Sequence, residues 1–252
     1  SGGTASLAEN ATGTVYTATA IPEAGKSLTY SLTGADASLF NINATTGAVT
    51  FKSSPNYEAP GDAGGNNVYD VTVRASDGTN FSTKDVAISV TNVNEAPTIT
   101  STAAASVGEN AAGTVYTAAA TDPDAGTTLT YSLTGTDASL FDINATTGAI
   151  TFKSSPNYEA PTDAGANNVY DVTVGVSDGT VTTTKALAIT VTNVNEAPTI
   201  TSGDAASFAE NGTGTVYTAA ANDQDAGATI SYSLTGADAA LFDINATTGV
   251  VT

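Results

Sequence analysis

Apolar residues in this chain alternate with polar ones in short runs, and no stretch carries the three-to-four-residue apolar spacing of a helix. The clearest run is 68–75. Tyr69, Val71, Val73 and Ala75 share one face, and Asp70, Thr72 and Arg74 share the other. Val86, Ile88 and Val90 repeat the alternation, and the intervening Asp77-Gly78 reads as the turn of a hairpin. Phe40 and Ile42, the turn Asn43-Ala44-Thr45-Thr46-Gly47, then Val49 and Phe51 spell a second strand–turn–strand. The first hundred or so residues thus predict seven strands, at 4–8, 14–20, 27–33, 39–43, 48–53, 67–76 and 81–93. Seven short antiparallel strands in a segment of that length predict an immunoglobulin-like sandwich. The Cys–Trp–Cys core of antibody domains is absent, so Tyr and Phe must fill the interior.

The pattern then recurs. Glu9-Asn10, Glu109-Asn110 and Glu210-Asn211 open three near-copies, Asn56-Tyr57-Glu58 returns as Asn157-Tyr158-Glu159, and NVNEAP stands at both 92–97 and 193–198. A period near 100 residues is too long for a solenoid unit and is the size of an independent domain. The predicted fold class is all-β, with tandem seven-stranded Greek-key sandwiches in a linear array: repeat 1 at 1–97, repeat 2 at 98–198 and a partial repeat 3 at 199–252. The links at 92–97 and 193–198 contain one Pro and no Gly, which restricts swing. Repeat 3 lacks counterparts of 67–76 and 81–93, so Phe242 and Ile244 are expected to lose their cover. Either the protein continues past residue 252 or another chain supplies the two strands, and continuation is the expectation for a repeat array.

Charge narrows the function. With 25 acidic against 6 basic residues the net charge is −19, which opposes nucleic acid and anionic membranes and favours cations. Forty per cent of residues are hydrophobic, so the chain is not a disordered acidic tail. The lack of Cys excludes disulfides and thiolate chemistry. No Met occurs and position 1 is Ser, which reads as a processed chain or an excerpt. No signal peptide is evident, and no apolar run is long enough to insert into a membrane. No enzyme is expected. Without His or Cys the usual acyl-transfer groups are missing, no Gly-rich phosphate loop follows a strand, and the paired carboxylates recur in every unit without an aromatic cleft. Asn-Ala-Thr at 10–12, 43–45, 144–146 and 245–247 and Asn211-Gly212-Thr213 match the glycosylation pattern, but chance and turn chemistry account for them in so Thr- and Asn-rich a chain.

Five motifs in fixed order now point to one family. AEN or GEN stands at 8–10, 108–110 and 209–211, and Asp122-Pro123-Asp124 and Asp223-Gln224-Asp225 form a D-x-D pair. Asn56-Tyr57-Glu58 is followed by Ala75-Ser76-Asp77, with Val176-Ser177-Asp178 in the next unit, and then by NVNEAP. The unit resembles a cadherin repeat, in the version found in large bacterial surface adhesins. In that family the corresponding elements are PEN, D-x-D, LDRE, A-x-D and DxNDNAP, and calcium binds between successive repeats. The resemblance implies a first calcium junction made by Glu9, Asn56, Glu58, Asn92, Asn94, Glu95, Asp122, Asp124 and Asp178. It implies a second made by Glu109, Asn157, Glu159, Asn193, Asn195, Glu196, Asp223 and Asp225, whose last expected Asp lies beyond residue 252.

Coordination chemistry agrees. Calcium takes six to eight oxygen ligands from carboxylates, amides and backbone carbonyls, and without His or Cys the chain disfavours zinc and copper. Six of the first set are carboxylates, whose charge about three divalent ions would match. Two departures weaken the pattern. Asn56 and Asn92 stand where the family usually has Asp, and the linker is one residue shorter. Repeat 1 carries Ile21-Pro22-Glu23 in place of D-x-D, and so is not built to receive calcium from an upstream neighbour. The expected function is a structural stalk in a secreted or cell-surface adhesin, stiffened by calcium, its partners being calcium and further copies of the repeat. The alternatives are a self-assembling extracellular filament or surface layer in which neighbouring chains exchange strands, and a binding module at an adhesin tip. The near-identity of repeats 1 and 2 argues against the tip.

Overall fold

A computed structural model describes all 252 residues. Seven strands appear in repeat 1 where the alternation predicts them: β1 (Thr4–Ala8), β2 (Thr14–Thr17), β3 (Thr29–Thr33), β4 (Phe40–Ile42), β5 (Ala48–Phe51), β6 (Val68–Ser76) and β7 (Phe81–Thr91). The only helical element among them is one 3-10 turn, Ala37–Leu39. No helix is long and apolar enough to cross a membrane.

The strands form two sheets, ordered β1-β7-β6-β3 and β2-β5-β4. Every pairing is antiparallel except one, because β1 lies parallel to β7. The expectation of an all-antiparallel sandwich is corrected at this edge. The reason is parity: seven strands that alternate in direction leave the first and the seventh pointing the same way. The alternating face is buried as predicted, with Tyr69, Val71, Val73 and Ala75 packed beside Val86, Ile88 and Val90 in one core. Phe40 and Phe51 come from the three-stranded sheet and meet Tyr69 of the other edge-on, at 5.9 and 5.0 Å between centroids. This aromatic cluster joins the two sheets across the core in a chain without the Cys–Trp–Cys set of antibody domains.

The β4–β5 turn shows the local chemistry. The Asn43 side-chain oxygen accepts from the Thr45 and Thr46 amides at 2.9 and 3.0 Å. Gly47 follows in the left-handed region, where an added Cβ would lie 2.5 Å from the Ala18 carbonyl oxygen, so only Gly fits.

Repeat 2 follows the same plan. Its sheets contain Thr130–Thr134, Val169–Ser177, Thr182–Thr192 and Ala104–Gly108, and Thr114–Thr117, Ala149–Phe152 and Phe141–Ile143. Phe141, Phe152 and Tyr170 reproduce the aromatic cluster. By internal packing the chain divides into two compact units. One is Ser1–Thr98 with Thr121–Leu129 and Asp178–Thr182; the other is Ile99–Ala120, Thr130–Ser177 and Thr183–Thr252.

Repeat 3 is uneven in an instructive way. The counterparts of β2 and β5 pair as Tyr217–Thr218 with Val250–Val251, and Ile244 bridges to Val251 as β4 does to β5. The counterparts of β1 and β3, at 205–209 and 231–235, are not strands. In repeat 1, β1 pairs only with β7 and β3 only with β6. The segments that lose strand structure are therefore the ones whose partners have no counterpart in 199–252. Phe242 is 45% exposed, against 4% for its equivalents Phe40 and Phe141.

Two buried acids hold the long segment between β5 and β6. Asp36 accepts from the Ala63 and Asp70 amides, both at 2.7 Å. Asp62 accepts from the Asn66 and Asn67 amides, both at 3.0 Å. Asp137 and Asp163 repeat these bonds in repeat 2. Buried charge is tolerated here because backbone donors surround it.

Three outcomes follow from this packing. A 199–252 peptide is expected to be unfolded as a monomer, because each uncovered large side chain forgoes about 1.5–3 kcal/mol out of a domain total of about 5–15; sharp, dispersed amide NMR signals would contradict this. Asp36→Ala should lower repeat 1 stability by about 2–4 kcal/mol in urea, since two amides lose a charged acceptor. Burial raises the Asp62 pKa, but backbone hydrogen bonds led by the Asn66 and Asn67 amides outweigh it and hold the group below 3.8. Its contribution is present above the unfolded value and lost as pH falls through the lower folded one. Asp62→Asn should therefore flatten the loss of stability below about pH 4, as read by urea midpoints.

Candidate metal centre

Strand direction gathers the acids. The odd-numbered strands run the same way, so the segments leaving β1, β5 and β7 emerge at one pole of the sandwich. They are tied there: the Asn10 amide donates to the Pro55 carbonyl at 2.9 Å, and the Glu9 amide to the Thr91 carbonyl at 3.0 Å. The buried Glu9 carboxylate then accepts from the Tyr57 amide and the Val93 amide, each at 2.8 Å. One side chain thereby fixes the β5–β6 segment and the 92–97 linker together.

Around this anchor Glu9, Glu58 and Glu95 bring carboxylate oxygens within 4.8 Å of one another. The same compact unit includes 121–129 and 178–182, which carry Asp122, Asp124 and Asp178. Asp124 accepts from the Glu95 amide at 2.8 Å and from the Asn92 side chain at 2.7 Å. The Asp124 amide in turn donates to Asp122 at 2.9 Å. Asp178 accepts from the Asn94 side chain at 2.8 Å and, through its other oxygen, from the Thr180 and Val181 amides.

Three oxygens in this cluster are buried and have no hydrogen-bond partner: Glu58 Oε2, Glu95 Oε2 and Asp122 Oδ2. Such atoms normally find a donor. Desolvation raises the Glu95 pKa above its ordinary value, helped by the charges of Glu9, Glu58 and Asp124. The Glu58 pKa is raised first by desolvation too, with Glu9 and Asp124 adding to it. The site is short of positive charge. Its donors are all oxygens, and a hard divalent cation such as calcium fits them; Glu58, Glu95, Asp122, Asp124 and Glu9 are the side chains placed to hold one.

The second set is a near copy. Glu109, Glu159 and Glu196 cluster within the same 4.8 Å limit, and Glu109 accepts from the Tyr158 and Val194 amides, each at 2.9 Å. Asp225 accepts from the Glu196 amide at 2.9 Å, and Asp223 from the Asp225 amide at 3.0 Å. Glu159 Oε2 and Glu196 Oε2 are buried without partners. Desolvation, then Glu109, Asp225 and Glu159, raises the Glu196 pKa.

The predicted amides behave differently. The Asn56 side-chain oxygen turns to the Ala59 amide at 2.7 Å, as Asn157 turns to Ala160 at 2.8 Å. Asn195 donates to the Glu196 carbonyl. Asn10 was quoted in the sequence only as part of a motif. It sits in the left-handed region at φ 57 and donates to Glu95 at 2.9 Å, as Asn110 donates to Glu196 at 2.7 Å. Asp36 and Asp62 were missed altogether, although both recur one period later as Asp137 and Asp163.

The chain superposes on human CDH23 EC21-23 with a TM-score of 0.66 and 24% identity over 98% of this chain and 90% of that one. Mouse cadherin-23 EC22-24 gives 0.62 and 24% over 98% and 83%, and mouse protocadherin-24 EC1-3 gives 0.60 and 23% over 100% and 83%. These repeats have the cadherin fold. No protein-family model matches the sequence, and no curated protein matches it.

The cadherin-like pole opposite the first cluster, in repeat 1, is chemically different. Ile21, at the position of Asp122, is 97% exposed. Asp77, equivalent to Asp178, has its pKa lowered by the Asn80 and Thr79 amides, with the nearby Lys26 charge assisting. Repeats 2 and 3 have Thr127 and Ala228 in place of Lys26.

In chelator, the clusters should tighten on mild acidification. Folded pKa values raised above the unfolded value oppose folding at neutral pH, and this cost fades as pH falls through the raised values toward 4.5. Hydrogen exchange at the Glu95 amide should slow between about pH 7 and 5 after correction for intrinsic rates, and Glu95→Gln should shrink the effect. A pH-independent corrected rate would contradict the assignment.

Proposed function

We propose that this chain is a calcium-binding segment of an extracellular stalk, a structural spacer of the adhesion type rather than an enzyme. The observation that carries the reading is the pair of three-glutamate clusters, each holding two buried glutamate oxygens without a partner. The cadherin fold supports it, since these acids occupy the ends of sandwiches that recur in tandem. Glu9, Glu58, Glu95, Asp122 and Asp124 bind the ion at the first cluster, with Asn92, Asn94, Asn56 and Asp178 lining it. Glu109, Glu159, Glu196, Asp223 and Asp225 bind at the second, with Asn157, Asn193 and Asn195 lining it.

The physical role is charge cancellation. Without a cation the acids repel one another, and each cluster is held only by hydrogen bonds. With calcium, the linker and the loops carrying D-x-D share one ion, which limits the motion of the linker and lets successive repeats act as a spacer. Asn at 56 and 92 removes formal charge from the site and lowers its affinity relative to an all-Asp junction. The bacterial adhesin setting suggested by the motifs belongs to the same reading.

Calorimetric titration of the 252-residue chain should show calcium binding at both clusters, and Asp124→Ala should abolish or weaken the first by tenfold or more. Calcium at about 100 times its dissociation constant should raise stability by about 2.7 kcal/mol per site. Small-angle scattering of residues 1–198 should show a narrower distance distribution in calcium than in chelator. Absence of binding heat at millimolar calcium would remove the reading.

A further inference from the structure

The two Asn side chains in the linkers do something that an Asp could not. The Asn92 Nδ2 lies 3.1 Å from Glu58 Oε1 and 2.7 Å from Asp124 Oδ1. The Asn193 Nδ2 lies 2.9 Å from Glu159 Oε1 and 2.8 Å from Asp225 Oδ1. An amide nitrogen carries two N–H donors, and here each faces a carboxylate on a different segment. The arrangement appears at both linkers with the same partners, so it is built into the repeat.

We infer that Asn92 and Asn193 are latches: in the ion-free protein the amide stands where a cation would otherwise stand, tying the β5–β6 segment to the loop carrying D-x-D. The charge on each side settles the amide orientation, because the side-chain oxygen would face two anions if the group were turned over. Each tie is a pair of charge-assisted hydrogen bonds, stronger than bonds between neutral groups. Asp at the same position would offer no donor and would add a seventh carboxylate to the six at the first cluster. Asn94 gives a further tie, donating to Asp178 Oδ2 at 2.8 Å.

The latch deepens the reading of these clusters as calcium sites, and its competition with the ion rests on that reading. Calcium and the amide N–H groups seek the same Glu58 and Asp124 oxygens. Binding must break the ties or turn the amide so that its oxygen faces the metal. The junction is therefore already tied by hydrogen bonds at low calcium, and calcium stiffens it by replacing these ties with stronger ones. Asn92 is a positioning residue in the first state and an oxygen donor in the second.

The test uses the whole 252-residue chain and reads hydrogen exchange at the Glu95 amide, which donates to Asp124 Oδ2. In chelator, Asn92→Asp, which keeps the side-chain shape, should speed that exchange by roughly tenfold or more. Asn92→Ala adds no charge and should speed it as well, which separates loss of the tie from added repulsion. The Val71 and Ile88 amides report whether the sandwich is intact and should stay protected. Unchanged Glu95 exchange in both variants overturns the latch. In calcium titrations Asn92→Asp should bind several-fold more tightly than the parent chain; equal or weaker binding overturns the competition. If the parent chain binds no calcium, the proposed function fails while the chelator experiment still decides the latch.

Discussion

Alternation of strand direction is the constraint on which the site depends. With seven strands the odd-numbered ones run the same way, and the segments after β1, β5 and β7 must come out together. Glu9, Glu58 and Glu95 are far apart in sequence, yet the topology leaves them at one pole. The same parity makes β1 parallel to β7, so the one non-antiparallel pairing and the acid cluster share a cause. An eight-stranded version of this sandwich would send the linker out at the opposite end, away from Glu9.

Crowding acids in this way is costly, and the chain divides its carboxylates into two kinds. Asp36, Asp62 and Glu9 are buried and each accepts from two backbone amides, so they act as fixed braces for the loops. Glu58, Glu95 and Asp122 sit beside them with an oxygen left over. The first kind supplies order without metal, and the second supplies the demand for positive charge. Backbone donors alone cannot meet that demand, because the amides nearest the pole are already committed to Glu9 and Asp124.

Much of this was legible in the sequence. Strict alternation over 68–75 and 86–90 predicted β6, β7 and their buried faces, because period two has only one structural meaning. The motif order brought Glu9, Glu58, Glu95, Asp122, Asp124 and Asp178 into one list. The parallel edge was not foreseen, since a strand pattern says which face is buried but not which neighbour lies beside it. Asp36 and Asp62 were passed over because an Asp in a Gly-rich turn looks the same whether it faces solvent or braces a loop. Only the positions of the Ala63, Asn66, Asn67 and Asp70 amides distinguish the two. The donor role of the linker Asn residues was hidden for a related reason: as metal ligands they are read through their oxygen, and the structure uses their nitrogen.

The repeats also show how a common scaffold is tuned by single residues. In repeat 1 the D-x-D position is occupied by Ile21-Pro22-Glu23, and Asp77 has its pKa lowered by the Asn80 and Thr79 amides, with a smaller contribution from Lys26. That pole carries Glu23 and Asp77 where the next repeat has Asp122, Asp124 and Asp178, and Lys26 where it has Thr127. At the linkers the change is subtler, because Asn for Asp alters neither shape nor backbone. It converts one more repelling group into a double donor between two others. Single residues thus change the formal charge at these poles, a lysine in repeat 1 and an amide at each linker, while the sandwich that presents them stays the same.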